Sequence, residues 1–364
     1  MHVKHICFVA SAALLVASGC SGSTSVPATT VASTTAVATT TSTSTTLAAT
    51  STSATTAAAT STTARPAPTF ALTGLAASNE LERNRPALVV KIDNSSEVGV
   101  QPQVGLDQAD VVFEEIIEGI TRFAAVFQSR IPESVGPIRS ARTSDIDIIA
   151  QLARPLLAWS GGNNGVVGAM QKADINDVGR ETFNGANAIY FRSNERPAPH
   201  NLFAKPAEAY ATLSGSQTPV APLFSYRPAG AVETAGQAMP LTVNLKMDGT
   251  QVQYLWNGTA WGRSQYGYDH KSPSGTQIAP ANVVVLVTEY RRSPADPNSP
   301  EAVTIGRGEA WVLTAGRLVK GTWNRPDAKK PAELRDEAGK VIVLTPGSTW
   351  VELPRSAADV TILG

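Results

Sequence analysis

Arg122, Arg139 and Arg142 lie close in the chain to Glu114, Glu115 and Glu118. Arginine's planar fork matches carboxylate and phosphate oxygens two at a time. The chemistry this cluster could do is therefore either to hold an anion or to pair internally. If Glu118-Gly119 forms a two-residue hairpin loop, Glu115 falls opposite Arg122 as an ordinary cross-strand pair. Glu114 and Glu118 then share the other face with Val112 and Ile116. Arg139 and Arg142 follow the turn Val135-Gly136-Pro137 and precede a helix start, where free amides and the helix dipole attract anions. Asp145 and Asp147, in the first helical turn, compete for those amides. Both readings stay open.

His200 follows Pro197-Ala198-Pro199 and precedes Asn201. With His270 it is one of two histidines beyond the N-terminal tract, and it is the best single candidate for a general base or a charge partner. Candidate ligand-binding residues are accordingly Arg122, Arg139, Arg142, His200 and Asn201; candidate catalytic residues are Glu114 and His200. No GxSxG elbow, reactive cysteine or evident Ser/His/Asp order accompanies them. The Gly161 to Gly165 loop is neither GxGxxG nor a Walker loop, and reads as a tight connection. Two cysteines and the lack of an HExxH pair leave no expected metal site, and no cofactor is expected. Thirty basic and 30 acidic residues argue against nucleic-acid binding, which needs a net basic surface.

The elements that must position these residues alternate between about 85 and 212. Leu88 to Ile92 reads as a buried strand, and Asp110 to Glu118 with Ile120 to Phe127 as a hairpin around Gly119. Ser144, with Asp147 three residues on, predicts a capped helix ended by Pro155. Leu156 to Trp159 is a further strand, and a short helix lies around Val166 to Lys172. Residues 214–240 are rich in Pro, Gly, Ala and Ser and read as a linker. Beyond them, Met247-Asp248-Gly249-Thr250 and Trp256-Asn257-Gly258-Thr259 are hairpin signals. Val283 to Thr288, Trp311 to Leu313, Leu318 to Trp323 and Val341 to Leu344 continue the strands. Trp256, Trp261, Trp311, Trp323 and Trp350 suit a β core, with glycan stacking the alternative. The expected class is α/β: a layered α/β N-terminal part, 80–213, and a mostly β C-terminal part, 241–364.

The address stands at the N-terminus. Lys4, the apolar run Ile6 to Ala17 and the small residues Ser18-Gly19 make residues 1–19 a secretory signal peptide, too short to remain as a membrane span. Ala17-Ser18-Gly19-Cys20 resembles a bacterial lipobox, which implies that Cys20 becomes a lipidated N-terminus carrying diacylglycerol and palmitate. Ala17 departs from the more usual Leu. Residues 20–69 then form a Thr/Ser/Ala tether; Ser21 to Ala64 holds no charge and almost nothing to bury, and is expected to be disordered. As a coil it reaches about 35–40 Å.

A longer resemblance runs through the folded part. It is carried by Arg85-Pro86, Gln101-Pro102-Gln103-Val104-Gly105-Leu106, Ala109-Asp110, Glu118-Gly119-Ile120-Thr121-Arg122-Phe123, Val135-Gly136-Pro137-Ile138-Arg139-Ser140-Ala141-Arg142 and Pro199-His200-Asn201-Leu202. Further on it continues through Asn282-Val283-Val284-Val285, Gly306-Arg307-Gly308, Gly321-Thr322-Trp323 and Pro346-Gly347-Ser348-Thr349-Trp350. In these stretches the chain resembles the YerB-like bacterial lipoproteins. The resemblance implies a two-part α/β lipoprotein and no particular reaction, since that family is a domain of unknown function. Glu118-Gly119 stands where the family usually has two glycines.

The expectation is a membrane-anchored, extracytoplasmic envelope protein that binds an anionic or glycan ligand or a protein partner. Its expected partners are the membrane, through Cys20, and a wall polymer or envelope protein. The alternatives are a hydrolase or transferase acting on phosphate-bearing or peptidoglycan substrates, and a scaffold.

Overall fold

The structure, a computed structural model, describes residues 68–179, 188–228, 230–238 and 242–363. The signal peptide, Cys20 and nearly all of the tether lie outside the described residues. Residues 64–364 form one compact unit.

Its N-terminal part holds strands β1 (Leu88–Asp93), β2 (Val111–Ile116) and β3 (Thr121–Phe127), helix α1 (Ser144–Ala150), β4 (Leu156–Ala158), α2 (Asn164–Met170) and β5 (Asn176–Asp177). Every residue of β1, β2 and β3 is buried, which explains why these runs read as continuous rather than alternating. The hairpin has the expected register, with Glu115 opposite Arg122. Gly119 takes φ 79°, a left-handed value that glycine adopts without a Cβ penalty.

The C-terminal part is mostly β. It contributes β6 (Thr242–Met247), β7 (Thr250–Trp256), β8 (Trp261–Gln265), β9 (Tyr268–Asp269), β10 (Asn282–Leu286), β11 (Gly306–Thr314), β12 (Arg317–Arg325), β13 (Glu333–Asp336), β14 (Thr349–Glu352) and β15 (Val360–Leu363). Both parts enter one large sheet, in the order β13-β12-β11-β10-β14-β2-β3-β1-β4-β5. The splice is β14, which runs parallel to β2 on one side and to β10 on the other. The remaining strands form an antiparallel sheet, β9-β8-β7-β6-β15. Its β6–β7 turn meets the β2–β3 turn directly, where Gly249 N–H donates to Gly119 O at 3.0 Å.

The large sheet has a core on each face. Toward the five-stranded sheet lie Val90, Ile92, Val112, Phe123 and Trp350 with Tyr254 and Trp261; toward the helices lie Val89, Phe113 and Val126 with Ile148, Ile149 and Met170. Burying each large side chain contributes roughly 1.5–3 kcal/mol. Trp261, Trp311, Trp323 and Trp350 are all buried and Trp256 packs on Trp261, so these rings serve the core rather than an exposed stacking surface.

The start of α1 differs from the capping box expected at Ser144. Thr143 precedes the helix without a side-chain cap, and Ser144 Oγ instead accepts from Ala302 N–H at 2.9 Å. Asp145 reaches back to the segment before the helix and accepts from Arg142 N–H at 2.8 Å. Ser144 is fully buried against the 300–302 strand, so a tertiary partner takes its hydroxyl. Helix α2 is capped by Asn163, which accepts from Val166 N–H at 2.9 Å.

Candidate functional site

The arginines gather at the helix face of the large sheet, at the C-terminal ends of the parallel strands β1 and β4. Residues 138–141 thread between these ends: Arg139 N–H donates to Lys91 O, and Ser160 N–H donates to Arg139 O. Open α/β sheets place ligands beside such strand ends. The segment carries Arg139 to the last residue of β1, where Arg139 Nε lies 3.0 Å from Asp93 Oδ2 but off the hydrogen-bonding line. Arg139 is the partly exposed member, its side chain 28% accessible.

Arg122, the second residue of β3, lies opposite Asp93 and Glu115 and is almost wholly buried. Its Nη1 donates to Ser140 O at 3.0 Å, while Nε has no partner. Burial first, and then the neighbouring Arg142 charge, bring its guanidinium down to about 10. The expected Glu115–Arg122 pair has the right register but a different partner. Glu115 Oε1 takes Lys91 Nζ at 2.6 Å, and the same ammonium meets Asp145 Oδ1 at 2.7 Å, all three groups lying inside the protein. Burial and then Asp145 hold the Glu115 carboxyl above its usual range.

Arg142 is committed elsewhere. It grips Glu118 with two parallel bonds, at 2.8 and 2.6 Å, and Ser299 adds its hydroxyl. Partial burial opposes ionisation of Glu118, but the Arg142 and Ser299 contacts outweigh it and take the carboxyl down to about 2. Glu118 therefore turns to the arginine loop instead of sharing a face with Glu114.

His200 closes the other side of Asp93. Its Nδ1 lies 2.8 Å from Asp93 Oδ2 and its Nε2 2.8 Å from Glu97 Oε2, with the ring buried. A carboxylate thus faces each of its ring nitrogens. With both ring nitrogens occupied by carboxylates of the protein, the geometry fits a charge partner better than a general base. Asn201 braces its own turn, accepting from Arg192 Nη1 at 2.8 Å and donating to Ser193 O at 3.3 Å.

Glu114 lies on the opposite face of the sheet, fully buried. It accepts from Arg263 Nη2 at 2.7 Å, Asn94 Nδ2 at 3.1 Å and Thr121 Oγ1 at 2.6 Å. Its partners are all different from those of His200, so the two candidate catalytic residues are engaged in separate networks. The open groove of ≈ 670 Å³ lined by Glu289, Arg307, Glu309, Trp323 and Arg355 contains none of the candidate residues. Among the described residues no group of three His, Cys, Asp or Glu is placed to hold a metal, and no helix is long and apolar enough to cross a membrane.

Sequence reasoning missed Lys91, Asp93 and Glu97, and read Asp145 only as a competitor for the helix amides. One signal was available: Lys91 is a lone cation in the apolar strand Leu88-Val89-Val90-Lys91-Ile92, where burial demands partners.

Two family models match the chain in order. Residues 72–218 match "Protein of unknown function (DUF3048) N-terminal domain", and residues 241–351 match the corresponding C-terminal domain. The chain belongs to the DUF3048 family. A relative of this DUF3048 protein is YerB of Bacillus subtilis (strain 168), which is named as a lipoprotein. It is 25% identical over 298 residues, 78% of this chain and 85% of the relative. The crystal structure of the YerB protein shares the fold, with TM-score 0.69 and 20% identity over 81% of this chain and 99% of that one. The YerB-like resemblance and the α/β class with a mostly β C-terminal part thus both hold.

Proposed function

We propose that this DUF3048 protein is anchored by a lipid on Cys20 at the extracytoplasmic face of the cell membrane. There its folded unit holds an anionic group of an envelope polymer between Arg122 and Arg139. The observation that carries the binding reading is Arg122: a buried guanidinium whose Nε has no partner, beside a partly exposed Arg139 that is poorly aligned on its carboxylate. A buried arginine with unmet donors has much to gain from an anion. Arg142, held two ways by Glu118, serves as scaffold and adds positive field. The enzyme reading has less support, since His200 is braced on both sides and Glu114 is engaged in a separate network.

Arg139→Ala is expected to weaken binding of a polyol-phosphate chain to the full-length protein by about 1.5–3 kcal/mol, the range for a lost charge-assisted hydrogen bond. Isothermal titration reads the affinity and urea titration reads the fold. A shifted urea midpoint with unchanged affinity would sink the ligand reading and leave Arg139 as a brace for Asp93.

The anchor has its own test. Cys20→Ala is expected to move the protein from the membrane fraction to the soluble one while its melting temperature stays the same. Retention of the variant on salt-washed membranes after signal cleavage overturns the lipid assignment.

A further inference from the structure

Between the large sheet and the five-stranded sheet lies a second charged cluster that the proposed binding site does not use. Glu114 on β2 and Glu352 on β14 are direct neighbours in the parallel register, and both are fully buried. They share one cation. Arg263, on β8, donates to Glu114 Oε2 at 2.7 Å and lies over the Trp350 ring, 4.6 Å from its centroid.

The other titratable groups facing the pair add no charge. His270 sets Nδ1 2.6 Å from Arg263 Nη1 and Nε2 2.8 Å from Gln103 Oε1. A guanidinium can only donate, so His270 Nδ1 is the acceptor and the ring is neutral. Burial and then Arg263 hold its pKa well below the usual value. Tyr254 on β7 donates its hydroxyl to Glu352 Oε1, and burial keeps that phenol protonated. Asn94, Thr121 and Gln265 complete the surroundings without charge. Two carboxylates against one guanidinium leave one negative charge in a dry interior, and binding a proton removes it.

We infer that Glu352 is a neutral carboxylic acid whose proton bridges to Glu114 and locks the five-stranded sheet onto the large sheet, making this joint sensitive to pH. No donor reaches Glu352 Oε2, as suits the oxygen that itself carries the proton. Burial, and then the Glu114 charge, hold Glu352 well above the usual glutamate value of 4.5. Because the folded state favours the protonated form, the stabilisation is full below that value. It is lost as pH rises toward the elevated folded value.

The test compares the full-length wild type with Glu352→Gln, a neutral side chain of the same shape that can donate to Glu114 and accept from Tyr254. As pH is raised from about 5 to 9, the wild-type unfolding constant from urea titration should grow relative to the variant's by up to tenfold per pH unit. Equal pH slopes overturn the inference. Infrared spectra at pH 7 should show a protonated-carboxyl stretch in the wild type, and its absence there overturns the inference too. Should Glu352→Gln fail to fold, the wild type decides alone. As pH rises, that band and the hydrogen-exchange protection of Val243 and Leu245 on β6 must fall together, and independent titrations refute the lock.

Discussion

Arg263→Ala is expected to lose about 3–5 kcal/mol of folding stability, because it strands Glu114 in a dry interior. Arg263 is fully buried, holds Glu114 and His270 through different nitrogens, and stacks over Trp350. The lost cation–π contact contributes up to about 2 kcal/mol of that effect. Neutralising the orphan as well, in Arg263→Met with Glu114→Gln, should recover a large part of the loss, because an apolar or neutral replacement of a buried pair is far cheaper than half a pair. Urea titration of the two variants measures this. Equal midpoints for the single and double variants would mean that packing rather than charge sets the cost. The same variant should loosen the five-stranded sheet first, since Arg263 lies on β8 and its carboxylate partner on β2 of the other sheet. Hydrogen exchange at Val243, Leu245 and Val252 reads that order.

The second large effect belongs to Lys91. Its ammonium sits between Glu115 and Asp145, with all three side chains fully buried. Lys91→Met keeps the apolar stem and removes the charge, leaving two carboxylates facing one another; a cost of about 3–5 kcal/mol follows. The loss should shrink in acid. Glu115 is already held above its usual range by burial and by Asp145, and without Lys91 it rises further. A raised carboxyl contributes its stability at low pH and loses it as pH climbs, so the gap between variant and wild type should narrow below the ordinary glutamate value. A gap that stays constant from acid to neutral pH would place the cost in packing. Because Asp145 also accepts from Arg142 N–H, the variant should weaken the arginine loop before α1.

Much of the local structure was legible because it obeys local rules. The two-residue loop at Glu118-Gly119 set the β2–β3 register, and the Asp248-Gly249 signal set the β6–β7 turn, where Asp248 takes φ 53°. Register, however, only makes two side chains neighbours. It does not choose which of several charges a carboxylate will take, and Glu115 went to Lys91 because Lys91 had no water to turn to. Ser144 shows the same limit. Its spacing to Asp147 is that of a cap, but a strand from far along the chain claimed its hydroxyl.

By itself the sequence determined the family, the alternation of strands and helices before the Pro/Gly-rich stretch, the turn to β after it, and the crowding of arginines around one hairpin and one helix start. These follow from periodicity, turn chemistry and ordered motifs, all read within a few residues of each other. Tertiary structure alone decided that β14 enters between β10 and β2, so that both parts share one sheet and Glu352 comes beside Glu114. It also decided that Glu114 goes to Arg263, Asn94 and Thr121, and that Asp93 joins His200 to Arg139. Parallel pairing between distant strands carries no local signature, because its register is set by how two faces bury their side chains together.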